Sequence, residues 1–185
     1  MKTLDIDLEQ AFLLRHDMFV KAGIIDQDGE EKEYDHYDFL PTTKHVGVVV
    51  NGVLRAYARL ISCRHGFPAS DHLGLFETMI VRNARKPFEI SRLCVSSSAK
   101  DHMVLAHALR AVALASFDSD TEILVTFTSK IALNAMERYG VVFPYQGMDI
   151  DYCGVRQICI GNLVELAAGL VNTQDDDEIQ AGYLK

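Results

Sequence analysis

The sequence predicts an α/β protein, a three-layer αβα sandwich in which helices cover both faces of a mixed central sheet. Two observations lead to this prediction. An amphipathic helix and a β-hairpin come first, and from residue 88 onward strand-like and helix-like segments alternate. Such alternation is typical of sheets that are covered by helices on both faces. At 185 residues the chain is long enough to build one substantial core.

The first half of the chain contains a helix and a hairpin with clear local signals. From Leu8 to Ala22 apolar side chains recur at helical spacing, and Gly23 is a suitable end for that helix. A long, highly charged loop follows. Two apolar segments then flank Asn51-Gly52, which is the strongest short-range signal for a hairpin. We therefore expect two antiparallel strands on either side of this dipeptide.

The second half of the chain alternates between strand-like and helix-like segments. We expect strands at 88–95, 122–128, 141–143 and 155–160, and helical segments at 73–81, 100–117, 130–139 and 162–170. Ser129 is suited to cap the helix after it, because a serine hydroxyl can accept from free amides of the first turn. Residues 1–171 are expected to form a single domain, and residues 172–185 an acidic C-terminal tail.

The composition narrows the class of protein. The formal net charge of −8 disfavours broad binding to nucleic acid or to anionic membranes, although a local basic patch remains compatible with it. The four cysteines are far apart, so we expect buried free thiols in a reducing cytoplasm. Charged residues interrupt the first seven positions, and no apolar run reaches the roughly 20 residues of a membrane span. These features predict a soluble cytoplasmic domain.

The segment Phe88–Val95 is the predicted strand with the most unusual side chains. Strict alternation would put Glu89 and Ser91 on one face of the sheet and Arg92 on the other. Unpaired buried charges are costly, so Glu89 and Arg92 are expected to be paired or to face a cleft. A structural ion pair and a catalytic site are both open on this evidence. The seven histidines lack the spacing of metal ligands, and we assign no metal.

Four short motifs, taken together, resemble a known family. They are Leu14-Arg15-x-x-x-Phe19-Val20, Glu33-x-Asp35-x-x-Asp38, Ala58-Arg59-Leu60 and Glu89-Ile-Ser-Arg92. In this order and spacing they resemble the acyl-homoserine-lactone synthases, the autoinducer synthases of quorum sensing, which are related to the N-acyl amino acid synthases. The resemblance extends from about residue 14 to residue 140. It implies a GNAT-like acyltransferase fold for the domain at residues 1–171.

The resemblance also implies an activity and a set of site residues. The reaction would transfer an acyl group from acyl carrier protein, or from acyl-CoA, to the amine of S-adenosylmethionine, with lactone formation and release of methylthioadenosine. S-adenosylmethionine is then a substrate, and no cofactor is needed. The expected catalytic residues are Glu89 as base, Arg92 and Ser91. Arg92 is expected to keep Glu89 ionised.

Two further groups of residues follow from the same resemblance. The expected substrate-binding residues are Arg15, Phe19, Asp35, Asp38, Arg59 and Phe127, and the acyl chain would lie near Leu105, Leu124 and Phe127. Carrier proteins are acidic, so their docking requires local positive charge. One of two basic groups is expected to supply it: Arg82, Arg85 and Lys86, or Lys130 and Arg138.

Three alternatives remain open at this point. The family pattern has a tryptophan near the position of Ile25, whereas this chain contains no tryptophan. That difference favours, as the first alternative, an N-acyl amino acid synthase that uses acyl carrier protein. An acetyl-CoA-dependent acetyltransferase is the second, but residues 96–103 lack the glycines of a pyrophosphate loop. The third is a non-catalytic ligand-binding module on the same scaffold.

Overall fold

The structure, a computed structural model, describes residues 1–27, 29, 31–96, 102–170 and 179–184. The described α-helices are α1 Leu8–Lys21, α2 Leu75–Asn83, α3 His102–Phe117, α4 Lys130–Glu137 and α5 Leu163–Ala168. The strands are β1 Lys44–Val50, β2 Val53–Ser62, β3 Phe88–Val95, β4 Ile123–Ser129, β5 Tyr145–Gln146, β6 Ile150–Asp151, β7 Val155–Asn162 and β8 Ile179–Tyr183. Short 3-10 helices lie at His36–Phe39, Cys63–His65 and Pro68–His72.

The eight strands form one mixed sheet. Their order is β5-β7-β4-β3-β2-β1-β8, and β6 pairs with β7 beside β5. Among the strands of the described residues, β3 and β4 run parallel to each other, and the other pairs are antiparallel. Among the described residues, no helix is both long enough and apolar enough to cross a membrane.

Helices cover both faces of the sheet, which confirms the predicted three-layer sandwich. On one face, α1 packs with Tyr57 and Cys94, and α2 packs with Val125 and Ile158. On the opposite face, α3, α4 and α5 enclose the largest apolar cluster, which includes Leu60 of β2. The parallel β3–β4 pair therefore lies at the centre of the sheet with helices above and below it.

Two local predictions are confirmed in detail. Asn51 and Gly52 have positive φ angles of 52° and 76°, and the hairpin closes with Val50 opposite Val53. Both central residues of a type I′ turn require positive φ, which explains why this dipeptide specifies the hairpin. Ser129 caps α4 as expected, since its hydroxyl oxygen accepts a hydrogen bond from the Ala132 amide at 3.3 Å.

The predicted strand at residues 141–143 is wrong. These residues form a loop, although Val141 and Phe143 are fully buried among the helices of the largest cluster. At Gly140, with φ of 80°, a Cβ would come within 2.6 Å of the Gly169 carbonyl oxygen, so the chain passes directly against the end of α5. The apolar pattern here reflects burial in a loop rather than pairing in the sheet.

The end of the chain takes part in the sheet. Residues 172–185 were expected to be an acidic tail, but β8 pairs antiparallel with β1, from Val46 opposite Tyr183 to Val50 opposite Ile179. The part of the expected tail at residues 172–178, and residue 185, lie outside the described residues. The domain boundary at residue 171 stays a prediction.

Candidate active site

A β-bulge at Arg92 determines which side chains of β3 face α1. Tyr57 of β2 lies opposite Cys94 and Arg59 lies opposite Ser91, so two residues of β3 oppose one residue of β2. Arg92 has a positive φ of 56°, and the bulge places Ser91 and Arg92 on the same face as Glu89. The strict alternation expected from the sequence is therefore wrong from Arg92 onward, because a bulge inserts one unpaired residue and shifts the pattern.

The parallel pairing of β3 and β4 ends shortly after it begins. It covers only Phe88 to Ile90, opposite Leu124 to Thr126, although β3 continues to Val95 and β4 to Ser129. The two strands are not paired with each other beyond Ile90 and Thr126, and we call the unpaired region at their carboxyl ends the β3–β4 gap. Backbone amides along such a gap can bind an extended ligand, because polar main-chain groups need partners.

Arg59 is the centre of a buried ionic network. Its side chain is completely buried and donates to both carboxylate oxygens of Asp35, at 2.6 and 3.0 Å. The same guanidinium lies 2.8 Å from an Asp38 oxygen and donates through Nε to the Ser91 hydroxyl at 3.1 Å. All three nitrogens of the guanidinium are thus used inside the protein.

Arg15 and Arg92 complete this network. Arg15 of α1 donates to Asp38 at 2.7 Å and pairs with Glu33. Arg92 donates through Nε to Glu33 at 3.0 Å and through a terminal nitrogen to Asp35 at 3.1 Å. Three guanidinium groups therefore neutralise three carboxylates, and the network fastens the segment 33–38 to α1, β2 and β3.

The 33–38 segment is further fixed by its own backbone. Asp35 accepts from the Tyr37 amide at 2.8 Å, and Asp38 accepts from the Asp35 amide at 2.8 Å. This reciprocal capping box begins the 3-10 helix at residue 36. Burial alone would raise the pKa of Asp35, but the hydrogen bonds and charge of Arg59, with the charge of Arg92, hold it below 3.8.

Glu89 is buried beside this network but is not part of it. The residue is 1% exposed, and one carboxylate oxygen accepts from the Ala69 amide at 3.0 Å. Burial raises the pKa of Glu89 from 4.5 to about 7, although the Ala69 hydrogen bond and the charges of Arg59 and Arg92 oppose that rise. Arg92 therefore favours the ionised form of Glu89, as expected, but burial outweighs the nearby positive charge in setting the pKa of Glu89.

Phe19 and Phe127 lie at different parts of the same face. Phe19 of α1 is half-buried against the apolar cluster that contains Tyr57 and Cys94, and the Arg92 guanidinium lies 5.7 Å from the centre of the Phe19 ring. Phe127 of β4 stacks on His72 with ring centres 4.6 Å apart, and Tyr152 lies 5.7 Å from Phe127. His72 and Tyr152 were not singled out in the sequence, since only the tertiary fold brings these three rings together.

The structure does not bring the three expected acyl-chain residues together. Leu124 is buried in the cluster beneath α3, and Leu105 packs against that cluster. Phe127 belongs to the cluster on the opposite face of the sheet. Alternation along β4 explains the separation, since side chains at positions 124 and 127 point to opposite faces.

The two basic groups lie at opposite ends of the β3–β4 pair. Arg85 and Lys86 precede β3, and both are bound to Asp120, at 3.0 and 3.3 Å. Lys130 follows β4 directly, at the end where β3 and β4 are unpaired, and Arg138 lies at the other end of α4. Arg82 projects from α2 into a separate cavity, which is described below.

Metal ligation has no candidate in the part of the chain that the structure describes. No group of three or more His, Cys, Asp or Glu side chains there is arranged to hold an ion. The free cysteines do not form a pair, and burial raises the pKa of the Cys94 thiol to about 12. The site therefore consists of the ionic network, Glu89 and the gap between β3 and β4.

Comparison with known proteins identifies relatives of this arrangement. The family model described as N-acyl amino acid synthase FeeM matches residues 10–139. This range contains all four sequence motifs and the β3–β4 pair. A search of curated protein sequences gave no match.

Solved structures with the same fold include three synthases. The AHL synthase LasI has a TM-score of 0.67 at 19% identity, with 92% of this chain and 90% of that chain covered. The CoA-dependent acyl-homoserine lactone synthase BjaI, solved with SAM and isopentyl-CoA, has a TM-score of 0.69 at 18% identity over 96% and 85%. FeeM, an N-acyl amino acid synthase from uncultured soil microbes, has a TM-score of 0.67 at 12% identity over 86% and 92%.

These likenesses, at low identity, confirm the GNAT-like fold that the sequence resemblance implied. They extend over 86–96% of this chain. The identities of 12–19% do not distinguish the two synthase reactions from each other.

Proposed function

Because this chain belongs to the family described as N-acyl amino acid synthase FeeM, we propose that it is an acyltransferase acting on an amino acid. The proposed donor is a fatty acyl thioester of acyl carrier protein, and the proposed acceptor group is the α-amine. The observation that carries the proposal is the position of Glu89. A buried carboxyl group with a pKa of about 7 lies on β3 where this strand pairs parallel with β4, three residues before the bulge residue Arg92.

In this proposal Glu89 removes a proton from the acceptor ammonium, directly or through water. The amine nitrogen then attacks the thioester carbonyl carbon, the carbon–sulfur bond breaks, and the carrier thiolate takes up a proton. A base whose pKa is near the working pH combines a large ionised fraction with useful basicity. The developing oxyanion is assigned to main-chain amides of β3 beyond the bulge, since amides aimed at that charge lower the barrier.

Ser91 and Arg92 have a positioning role in this scheme. Ser91 accepts from Arg59 at 3.1 Å, and Arg92 binds Glu33 and Asp35, so both residues connect β3 to the 33–38 segment. The arginines of the network have their charges satisfied by carboxylates of the protein. Their proposed task is to hold the loop and the bulge in place, rather than to bind a free substrate carboxylate.

A carrier protein is the preferred donor because the features that favour coenzyme A are weak in this chain. Residues 96–103 contain no glycine, which disfavours a pyrophosphate loop before α3. The exposed Lys130 lies at the end of the gap between β3 and β4 and can meet an acidic surface. A carrier-protein donor also agrees with the cytoplasmic location expected from the sequence.

Acyl-homoserine-lactone synthesis is the second candidate. It is favoured by the complete set of Arg15, Asp35, Asp38, Arg59 and Arg92, which the structure joins in one network. In that reaction the acceptor amine belongs to S-adenosylmethionine, methylthioadenosine leaves as the lactone closes, and the product serves quorum sensing. The absence of tryptophan from the whole chain makes us place it second.

Product analysis distinguishes the two reactions. The protein is incubated with acyl carrier protein thioesters of several chain lengths and, in separate reactions, with each amino acid or with S-adenosylmethionine. Mass spectrometry is expected to detect an N-acyl amino acid, with free carrier thiol formed only when the amino acid is present. Methylthioadenosine and a lactone would instead establish the second candidate.

A control variant and a negative result complete this experiment. Glu89→Gln keeps the side-chain shape and removes the base, so it should lower the rate of product formation by about 10²- to 10⁴-fold with every acceptor. No turnover with any donor and acceptor, using protein shown to be folded, would contradict both candidates and favour a non-catalytic binding module.

A further inference from the structure

A cavity lies at the connection between β2 and β3, close to Glu89. It has a volume of about 480 Å³, which is within the range of roughly 300–1,000 Å³ that small-molecule sites occupy. The connection between β2 and β3 forms its walls. The residues that matter here are Arg64, Phe67, Leu73, Val81, Arg82 and Pro87.

The chemistry of these walls is divided between an apolar floor and a cationic rim. Phe67, Val81 and Pro87 are buried, and Leu73 is half-buried. Arg64 and Arg82 are exposed and line the same cavity. Such a site suits a ligand with a hydrocarbon body and an anionic head, because each part meets the matching surface.

The two rim arginines differ from the others near the site. Arg15, Arg59 and Arg92 are bound to carboxylates in the buried network, and Arg85 is bound to Asp120. Within the described part of the chain, neither the Arg64 nor the Arg82 guanidinium has an ion-pair partner. They therefore provide two available cations beside an apolar cavity.

The cavity shares a wall with the proposed catalytic residue. Phe67 and Ser70 line the cavity, and Ala69 between them donates its amide hydrogen to Glu89 at 3.0 Å. Cys63, another wall residue, lies close enough to Glu89 for that charge to raise the pKa of its thiol, after the larger effect of burial. The cavity is therefore next to the reaction centre but separated from it by the 3-10 helix Pro68–His72.

We propose that this cavity binds an alkyl chain that ends in a carboxylate, with the carboxylate held by Arg64 and Arg82. The choice of an N-acyl amino acid as a ligand rests on the proposed function, since that product is an alkyl chain that ends in a carboxylate. A free fatty acid has the same chemistry, so the test includes both sources. The alkyl chain lies on Phe67, Leu73, Val81 and Pro87, and the head group remains at the rim.

Isothermal titration calorimetry with three probes tests the proposal without requiring turnover. The probes are N-dodecanoylglycine, dodecanoate and dodecanol, added below their aggregation concentrations to the full-length protein. At least one of the two carboxylates should bind more tightly than dodecanol. Whichever carboxylate has the higher affinity shows whether the ligand is an N-acyl amino acid or a free fatty acid. Substitution of both rim residues, Arg64→Gln with Arg82→Gln, should weaken carboxylate binding by about tenfold or more, since two charge-assisted contacts are lost.

Matched controls separate this site from the reaction centre. Arg85→Gln makes the same change of charge on an exposed residue near Arg82 and should leave the affinity unchanged. Equal carboxylate affinity in the protein and in the doubly substituted variant would overturn the proposal, as would equal affinity for dodecanol and both carboxylates. A protein that binds the carboxylates through Arg64 and Arg82 but forms no acyl amino acid would keep this site and contradict only the proposed function.

Discussion

At the scale of single residues, the buried arginines and carboxylates are best understood as a set of mutually dependent charges. Arg15, Arg59 and Asp38 are each 0–3% exposed, so each would be costly to bury alone. Asp35 keeps a side-chain exposure of 24% and bridges Arg59 and Arg92. Removal of any one partner therefore leaves an uncompensated charge inside the protein.

Replacement of Asp35 by Asn tests this dependence. The variant should lose about 3 kcal/mol of unfolding free energy at pH 7, because Arg59 loses one of its two carboxylate partners. The pKa of Asp35 is held below 3.8, so its contribution is complete above that value. The contribution disappears as the pH falls through the lowered pKa, so the difference between the two proteins should shrink below pH 3.8.

The measurement is urea denaturation of both proteins at several pH values. Asp17→Asn is the matched control, because Asp17 forms an exposed ion pair with Lys21 one helical turn away. Its effect should be about 0.5 kcal/mol or less. Equal losses in the two variants, or a loss in Asp35→Asn that does not change with pH, would contradict the buried-network interpretation.

At the scale of elements, the bulge in β3 converts an ordinary strand into one side of a site. Without it, Arg92 would point toward α3 and could not reach Glu33 or Asp35. The bulge also lies just beyond the last residue pair between β3 and β4. The side chains that it positions are therefore next to the β3–β4 gap. The 3-10 helix at Pro68–His72 also contributes to the site, because its Ala69 amide donates a hydrogen bond to Glu89.

At the scale of the whole molecule, the distribution of charge matters more than its sum. The net charge of −8 would repel an acidic carrier protein in general. The exposed Lys130 lies at the open end of the β3–β4 gap, whereas Arg85 and Lys86 are at the other end and are already bound to Asp120. Of the two basic groups expected from the sequence, we therefore propose that the one containing Lys130 receives the carrier.

Charge reversal at Lys130 tests this choice. Lys130→Glu should raise the KM for acyl carrier protein by about three- to tenfold at low salt, because a rim charge acts mainly on the rate of encounter. The kcat at saturating carrier should change little. Arg85→Glu is the matched control, since it also replaces one cation by an anion and so has the same net charge as Lys130→Glu. Steady-state kinetics is measured for both variants. A larger effect at Arg85 would assign docking to the opposite end.

The comparison between sequence and structure shows where local signals are sufficient. The hairpin at Asn51-Gly52 and the helix cap at Ser129 are both confirmed. Each depends on the backbone or side-chain chemistry of the residues themselves, so the local sequence is enough to predict it. The apolar pattern at residues 141–143 predicts a strand, but the structure has a buried loop there, since hydrophobicity indicates burial and not strand pairing. The positive φ of Arg92 was not predicted either, because its cause is the register between β2 and β3.

The candidate site shows the same limit. The order of the motifs was enough to expect Glu89, Asp35, Asp38 and Arg59 in one region, and the structure brings them together. Burial in the folded protein raises the pKa of Glu89, and the Ala69 amide, which opposes that rise, is distant in sequence. No spacing rule connects those residues, so this property could be found only in the folded chain.

The central claim is that Glu89 is the base for acyl transfer, and the pH dependence of kcat/KM for the acceptor tests it most directly. With saturating thioester, kcat/KM should rise with pH around a midpoint near the Glu89 pKa of about 7, because kcat/KM reports ionisation of the acceptor-free enzyme and the ionised carboxylate is the active form. Glu89→Gln should lower kcat by about 10²- to 10⁴-fold and remove that rise. A variant that retains both the activity and the same pH dependence would contradict the account.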